Sequence, residues 1–523
     1  MKKVLSQTIL FAVCVSFFTL LIPSLTNAFE GMKLGENSEF TTYGWFRNNL
    51  GMFFEKQPFQ ENGNQLATAR TWLRAYGDLK LGENVRFWTA IQFVHEPWYK
   101  VDEGTSSSRY PIQRGEPTRH YGKEYSEYDN INDVVREVYF EWKPNKGTSI
   151  KFGRQIAIWG EALTSRVGDV IHPDDLRYSL TFANLEDTRI PLWMVRGVHN
   201  LDALLSSFEW IVSPNFSQSN FLVNRLPSLS AGGAPGQRFA IGPEMRVRPP
   251  RSIGVANFVI AAPVSYDFPV IPSLRNDYPG DSIEDLRGGF RTNTTLGGYN
   301  FGVSYFHTQE YAPLLKRGDV ISPVGAFPPT REYLLVYPNK DIFGIYMNKN
   351  FEKMPGVLRT EAIYIPNQPF NTFDMADSDA VVRKNYVKYL LAYDFSNVLY
   401  FQWHNTAPFN ITLEHTGEFV QDASELQYNS NYATEMKSWN PVITTNISTN
   451  WRYNQISTSL IISYMFWGHS GLIMPVVSYT PPILNQRLTF EARYINVFGD
   501  NGYTGLGILR KKDMAVLTTQ FNF

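Results

Sequence analysis

A transmembrane antiparallel β-barrel is the fold this sequence predicts, and three observations predict it. Aromatic residues make up 15% of the chain while its mean hydropathy is slightly polar, at −0.26. Candidate strands alternate apolar and polar residues with period two. Short polar turns alternate with long connecting segments. A membrane barrel produces all three, because each strand turns every second residue to lipid and the others to a polar lumen.

The N-terminus sets the compartment. Lys2 and Lys3 are followed by an uncharged apolar stretch of 22 residues, and Thr26, Asn27 and Ala28 form a small-x-small site. This is the pattern of a secretory signal, with cleavage expected after Ala28. A retained membrane anchor is the rival, since the stretch is long enough to span; the small residues and the missing positive flank after them favour cleavage. Removal of residues 1–28 takes Cys14 with it and leaves no cysteine, which excludes disulfides, thiolate catalysis and cysteine-bound metals. The formal charge moves from −1 to −3 with the loss of the two lysines, so nucleic acid is not an expected partner. Residues 29–523 show no linker between blocks of different composition and read as one domain.

The alternation is explicit. Val85, Phe87, Thr89, Ile91 and Phe93 share one face, and Arg86, Trp88, Ala90 and Gln92 the other. Thr68, Arg70, Trp72, Arg74, Tyr76 and Asp78 form a polar face opposite Ala69, Thr71, Leu73, Ala75, Gly77 and Leu79. Leu488, Phe490 and Ala492 oppose Arg487, Thr489, Glu491 and Arg493. Arginines and acids share a side, as they do in a water-filled lumen. Trp45, Trp72, Trp88, Trp142, Trp210 and Tyr494 read as girdle residues at the two membrane interfaces.

The short turns fall at 81–84, 144–147, 199–203, 297–300, 352–356, 452–455 and 481–485. The longer segments are 97–132, 160–189, 214–284, 311–340, 367–383, 421–440 and 498–512. From a periplasmic N-terminus this gives about 18 strands, with 16 as the alternative. Residues 396–408 fit the pattern poorly and read as either a long periplasmic turn or a misplaced strand. Residues 174–182 read as a short helix, and 252–264 as an apolar piece inside a long loop. The last strand ends at Phe523, and a terminal aromatic there resembles the signal that barrel-assembly machinery reads; the barrel's other expected partner is outer-membrane lipid. Monomer and trimer both fit this strand number.

One segment departs from the alternation. Residues 159–177 hold Glu161, Arg166, Asp169, His172, Asp174, Asp175 and Arg177, directly after a strand at 148–159, and Glu186, Asp187 and Arg189 follow. This segment comes after the fifth strand. The words "GRQIAIWGE", "DVIHPDDLR" and "EDTRIPLWMVR" between residues 148 and 197 resemble the signature of the domain-of-unknown-function 1302 family of bacterial outer-membrane proteins, with G-R-Q, W-G-E, an N-P-x-D-like step and an R-x-P-x-W-like step. His172 stands where asparagine is the commoner choice in that pattern. The resemblance implies an outer-membrane barrel of a Gram-negative bacterium with a channel role and no catalytic residues.

The expected function is passive or selective passage of a small solute. The segment 160–189 folds inward as a constriction or plug, with Arg154, Glu161, Arg166, Asp169, Asp174, Asp175, Arg177, Glu186, Asp187 and Arg189 as latch or selectivity residues. Acids and arginines are near balance, and arginine binds carboxylates bidentately, so mutual pairing is the economical reading. A loop in a lumen has no hydrophobic core of its own, which leaves ion pairs to hold it.

Rival classes find less support. Asp174 and Asp175 are adjacent and point apart, and no nucleophile motif surrounds Ser165 or Ser179 near His172, so no enzyme is expected. The spacing of Asp169, His172, Asp174 and Asp175 is not that of a calcium loop, and neighbouring arginines compete for the acids, so no metal is expected. No cofactor is expected, and an electron conduit would need a separate cytochrome. The alternative is a non-conducting adhesin or assembly-partner barrel, for which the Tyr-rich segment 96–130 would be the contact surface.

Overall fold

The computed structural model describes residues 31–54, 66–95, 134–162, 166–173, 185–201, 205–214, 274–277, 285–311, 314–320, 331–352, 355–371, 381–396, 407–423, 427–429, 432–435, 437–500, 506 and 513–523. The signal segment, the Tyr-rich 96–130, Ser165, the 174–182 stretch with Asp174, Asp175, Arg177 and Ser179, and the apolar 252–264 lie outside these residues.

Eighteen antiparallel strands close on themselves. They are β1 Ser38–Phe53, β2 Leu66–Leu81, β3 Val85–His95, β4 Val135–Asn145, β5 Thr148–Gln155 and β6 Leu192–Leu201. Then come β7 Ser206–Ser213, β8 Arg287–Leu296, β9 Tyr299–Gln309, β10 Asn339–Phe351, β11 Gly356–Asn371 and β12 Val381–Phe395. The last six are β13 Asn410–Val420, β14 Trp439–Trp451, β15 Ile456–Met465, β16 Ser470–Tyr479, β17 Leu488–Phe498 and β18 Met514–Asn522.

Each strand pairs with its sequence neighbours, and β18 pairs back onto β1 from Trp45↔Asn522 to Phe53↔Met514. The last residue completes the seam: Gly44 and Phe523 exchange two backbone hydrogen bonds of 2.9 Å. A closed sheet leaves no unpaired edge, which is the condition for crossing lipid with strands. At one end the strands are joined by tight connections; Gly297 and Gly298, both at positive φ, make the two-residue hairpin between Leu296 and Tyr299. Residues 396–409 join β12 to β13 at this same end, and 466–469 make one tight turn at the opposite end. Small additional sheets lie on the long-connection side: Leu314–Val320, Arg331–Val336 and Leu274–Asp277, and the pair Gln427–Asn429 with Tyr432–Glu435.

The two faces differ as the alternation requires. Leu73, Phe87, Phe140, Phe152, Phe290, Ile345, Leu391, Leu413 and Leu517 are exposed on the outside. Arg70, Arg74, Asp78, Gln92, Glu141, Glu209, Arg359, Glu361 and Glu414 are buried within. The girdle expectation needs a correction for three tryptophans. Trp45 and Trp72 are buried on the inner face with the Arg47 and Arg70 guanidiniums over them, and Trp88 lies beside inner-face Arg86 and Tyr139. They share parity with Arg47, Arg74 and Gln92, so the alternation itself turns them inward.

Candidate functional site

Strand β5 stops at Gln155, four residues earlier than the pattern of "GRQIAIW" suggested, and the chain leaves the wall there. The following segment packs inside the barrel. Ala157, Trp159, Val167 and Ile171 are buried against Leu192, Met194, Ile211, Phe306, Ile342, Ile363 and Leu390 of the wall. The expectation that this segment lacks apolar support is therefore overturned. Strands β6 to β12 turn inward not only polar side chains but an apolar patch, and the segment supplies its other half. Each large apolar side chain buried this way contributes about 1.5–3 kcal/mol.

Trp159 anchors the first arm. Its ring meets Phe306 edge to face at 5.6 Å, and Nε1 donates to Glu209 Oε1 at 3.0 Å. Glu209 also accepts from Arg196 at 2.7 Å and Arg291 at 3.0 Å, so the wall carboxylate is held before the indole reaches it. Arg291 also donates to the Trp159 carbonyl at 3.3 Å. Further on, the Glu161 amide donates to Glu361 at 3.2 Å, and Arg359 donates to the Glu161 carbonyl. Arg359 is itself fixed by Asp394 at 2.6 Å and Glu414 at 3.2 Å. The segment passes close to itself at Gly160, where a Cβ would lie 2.7 Å from the Asp169 backbone nitrogen. A backbone atom cannot swing aside, so Gly160→Ala is expected to undock 157–173 and expose it to limited proteolysis while the barrel stays intact. Unchanged cleavage would show that this close approach yields.

His172 ties the two arms together. It is 3% exposed. Its Nε2 accepts from the Ala157 amide at 2.8 Å, and Nδ1 faces the Ile190 carbonyl at 2.9 Å. An N–H donor facing Nε2 and a carbonyl facing Nδ1 fix the neutral tautomer with the proton on Nδ1. Burial pushes the imidazole pKa down to about 4; Asp169 pulls the other way, while Arg166 and Arg189 add to the lowering. Tyr311 donates to the adjacent Ile171 carbonyl at 2.6 Å. Asp169 is shared between Arg189 at 2.8 Å and Arg166 at 3.5 Å, and Arg166 reaches Thr188 at 3.0 Å.

The second arm ends on the other wall. A single helical turn, α1 Leu185–Thr188, presents Asp187, whose two oxygens meet Arg47 of β1 at 2.9 Å and Arg74 of β2 at 2.7 Å. Arg136 of β4 donates to the Glu186 carbonyl, while the Glu186 side chain is 68% exposed and 3.7 Å from Arg74. Burial pushes the Asp187 carboxyl up, but Arg74, Arg47 and Arg136 outweigh it and hold it below the usual range. The two anchorages, β2 and β11, stand nine strands apart in a ring of eighteen, so the segment runs from one side of the lumen to the other.

Of the residues singled out from sequence, Arg166, Asp169 and Arg189 come together as a trio, and Glu186 and Asp187 dock on the wall. Glu161 takes part through its backbone. Arg154 is buried near the end of β5, opposite Val138 and Trp193 in the register. Little in the sequence marks the wall partners Arg47, Arg74, Arg136, Glu209, Arg359 and Glu361, beyond Arg74 on a polar face. No group of metal-ligating residues occurs among the described residues.

The model of one family, described as a protein of unknown function (DUF1302), matches residues 60–523. The chain belongs to this family. No curated protein matches it. Among solved structures this DUF1302 chain is similar to Acinetobacter baumannii OccAB3, with 9% identity, a TM-score of 0.46, and coverage of 92% of this chain and 99% of that one. It is also similar to Pseudomonas aeruginosa OpdK, solved with vanillate, with 8% identity, a TM-score of 0.45, and coverage of 93% and 99%. Salmonella typhi OmpF, in complex with daunomycin, has 8% identity, a TM-score of 0.40, and coverage of 94% and 100%. The fold is the closed antiparallel β-barrel of eighteen strands described above.

Proposed function

We propose that this DUF1302 protein is a passive outer-membrane channel for small solutes, narrowed by the inner segment that follows β5. The observation that carries this is the span of the segment across the lumen, from Glu209 and Glu361 on one wall to Arg47 and Arg74 on the other. A bridge of that kind divides the bore and sets the largest solute that passes. Charged side chains crowd the bridge, so the gap beside it selects by charge as well as by width. The buried network serves to hold a shape; its histidine and carboxylates are spent on backbone groups and guanidiniums, which leaves them without the free nucleophile–base geometry an enzyme needs.

The test is planar-bilayer conductance of residues 29–523, the form left by the expected cleavage, beside Arg189→Ala. Removing Arg189 leaves buried Asp169 with only the more distant Arg166, a loss of about 3 kcal/mol for a broken buried pair. Steady conductance that grows in the variant is the expected result. If both proteins are silent while circular dichroism shows an intact barrel, the channel reading fails and the adhesin or assembly-partner reading takes its place.

A further inference from the structure

We infer that the wall pocket holding Asp187 is a binding site for a carboxylate solute, occupied in this structure by the protein's own carboxylate, and that an arriving solute displaces Asp187 and frees the tip of the inner segment's second arm. The inference rests on the channel reading and adds its solute class and its opening step.

The pocket is built without the segment. Arg47 on β1 gives its Nε to Gln520 of β18 at 2.8 Å, and Arg74 on β2 gives its Nε to Gln92 of β3 at 2.8 Å. Both guanidiniums lie over the Trp45 ring, 4.2 Å and 4.7 Å from its centroid. Gln520 holds the Arg47 Nε, and Gln92 holds the Arg74 Nε and one hydrogen of its Nη2, over one indole beneath both; Arg47 Nη1 and the second hydrogen of Arg74 Nη2 are the donors that meet Asp187. Two guanidiniums on neighbouring strands thus offer one nitrogen to each oxygen of a single planar carboxylate. Fixed donors of this kind bind a carboxylate with little ordering cost, because the arginine forks are already set. Nothing in the receptor half depends on α1, so the receptor persists when Asp187 leaves.

The occupant is the removable part. Asp187 sits on a single helical turn whose neighbour Glu186 is largely exposed, and this arm meets the β1–β4 wall through charge pairs and the Arg136 contact. The first arm, by contrast, is fixed by the apolar cluster around Trp159. A solute carboxylate that replaces Asp187 keeps the two arginines satisfied and releases the 185–187 tip, while Thr188, Arg189 and Ile190 stay tied to Arg166, Asp169 and His172. Binding and widening are then one event, and a solute lacking an anionic group has no means of driving it.

The experiment uses residues 29–523 and the Asp187→Asn variant in planar bilayers, with acetate replacing chloride at constant ionic strength. In the wild type, acetate at about ten times its dissociation constant shifts the ratio of released to latched channels about tenfold. Mean conductance therefore rises although acetate carries less current than chloride. Asp187→Asn is expected to conduct more in chloride alone and to show no further rise with acetate. A wild type that conducts but ignores acetate overturns this inference and leaves the channel reading standing. So does an acetate-driven rise of the same size in Asp187→Asn, which would place the anion elsewhere. Silence of both proteins in every solution, with the barrel intact, sinks this inference together with the channel reading.

Discussion

Trp159→Ala undocks the inner segment while the eighteen strands stay closed. The indole fills the apolar patch of the β6–β12 wall, stacks edge-on against Phe306 and donates to Glu209, so its truncation removes packing, a cavity's worth of contacts and a buried hydrogen bond together. Truncating a fully buried tryptophan costs about 3–5 kcal/mol, which lowers the ratio of docked to undocked segment by roughly a hundred- to several-thousandfold. The barrel does not share this loss, because its strands are held by backbone ladders that close at Gly44 and Phe523. Glu209 remains satisfied by Arg196 and Arg291, so no buried charge is orphaned. The readouts are larger single-channel conductance and lost amide-exchange protection in 157–173, against unchanged far-ultraviolet circular dichroism. Wild-type protection in the variant would mean that the ion pairs, not the aromatic core, hold the segment.

The second large effect is on pH. His172 binds the Ala157 amide only when its Nε2 is unprotonated; a proton there sets two donors face to face. Its pKa falls from 6.5 free to about 4 when docked. A depressed histidine pKa means that the released segment takes up the proton more readily. Docking is therefore at full strength above pH 6.5, weakens as pH falls from 6.5 to 4, and loses about 3 kcal/mol in total. Asp187, held below the usual carboxylate range by its arginines, keeps its charge through this window, so the response does not come from its latch on Arg47 and Arg74. Conductance is expected to rise on acidification between those limits and to fall back on neutralisation. His172→Gln, which does not titrate, should give a flat profile there. A variant that keeps the wild-type slope would assign the titration to another group.

Much of the barrel could be read before any coordinates. Two-residue alternation placed Phe87 and Leu73 outside and Arg74 and Gln92 inside, since a strand's faces are fixed by covalent geometry alone. Tight turns such as Gly297–Gly298 marked one end, and the count of eighteen strands followed from their spacing. The charged words between residues 159 and 189 marked the segment that departs from the wall, because charges at that density do not continue a strand facing lipid.

The partners of that segment were decided by the tertiary structure. Asp187 finds Arg47 and Arg74 across 140 and 113 residues, and Glu161 finds Glu361 across 200. Nothing local in those stretches marks the meeting, because barrel closure is what sets β1, β2 and β11 around one lumen. The apolar hold on Trp159 was hidden for the same reason: Ile211, Phe306, Ile342 and Ile363 lie on four different strands and form a patch only when the ring closes. Trp45 shows both limits. Its parity with Arg47 was visible in the sequence, but its task as the floor beneath two guanidiniums from adjacent strands exists only in the folded wall. Alternation fixes which face a side chain takes, a local steric matter, whereas what it meets on that face depends on strands brought together from the whole length of the chain.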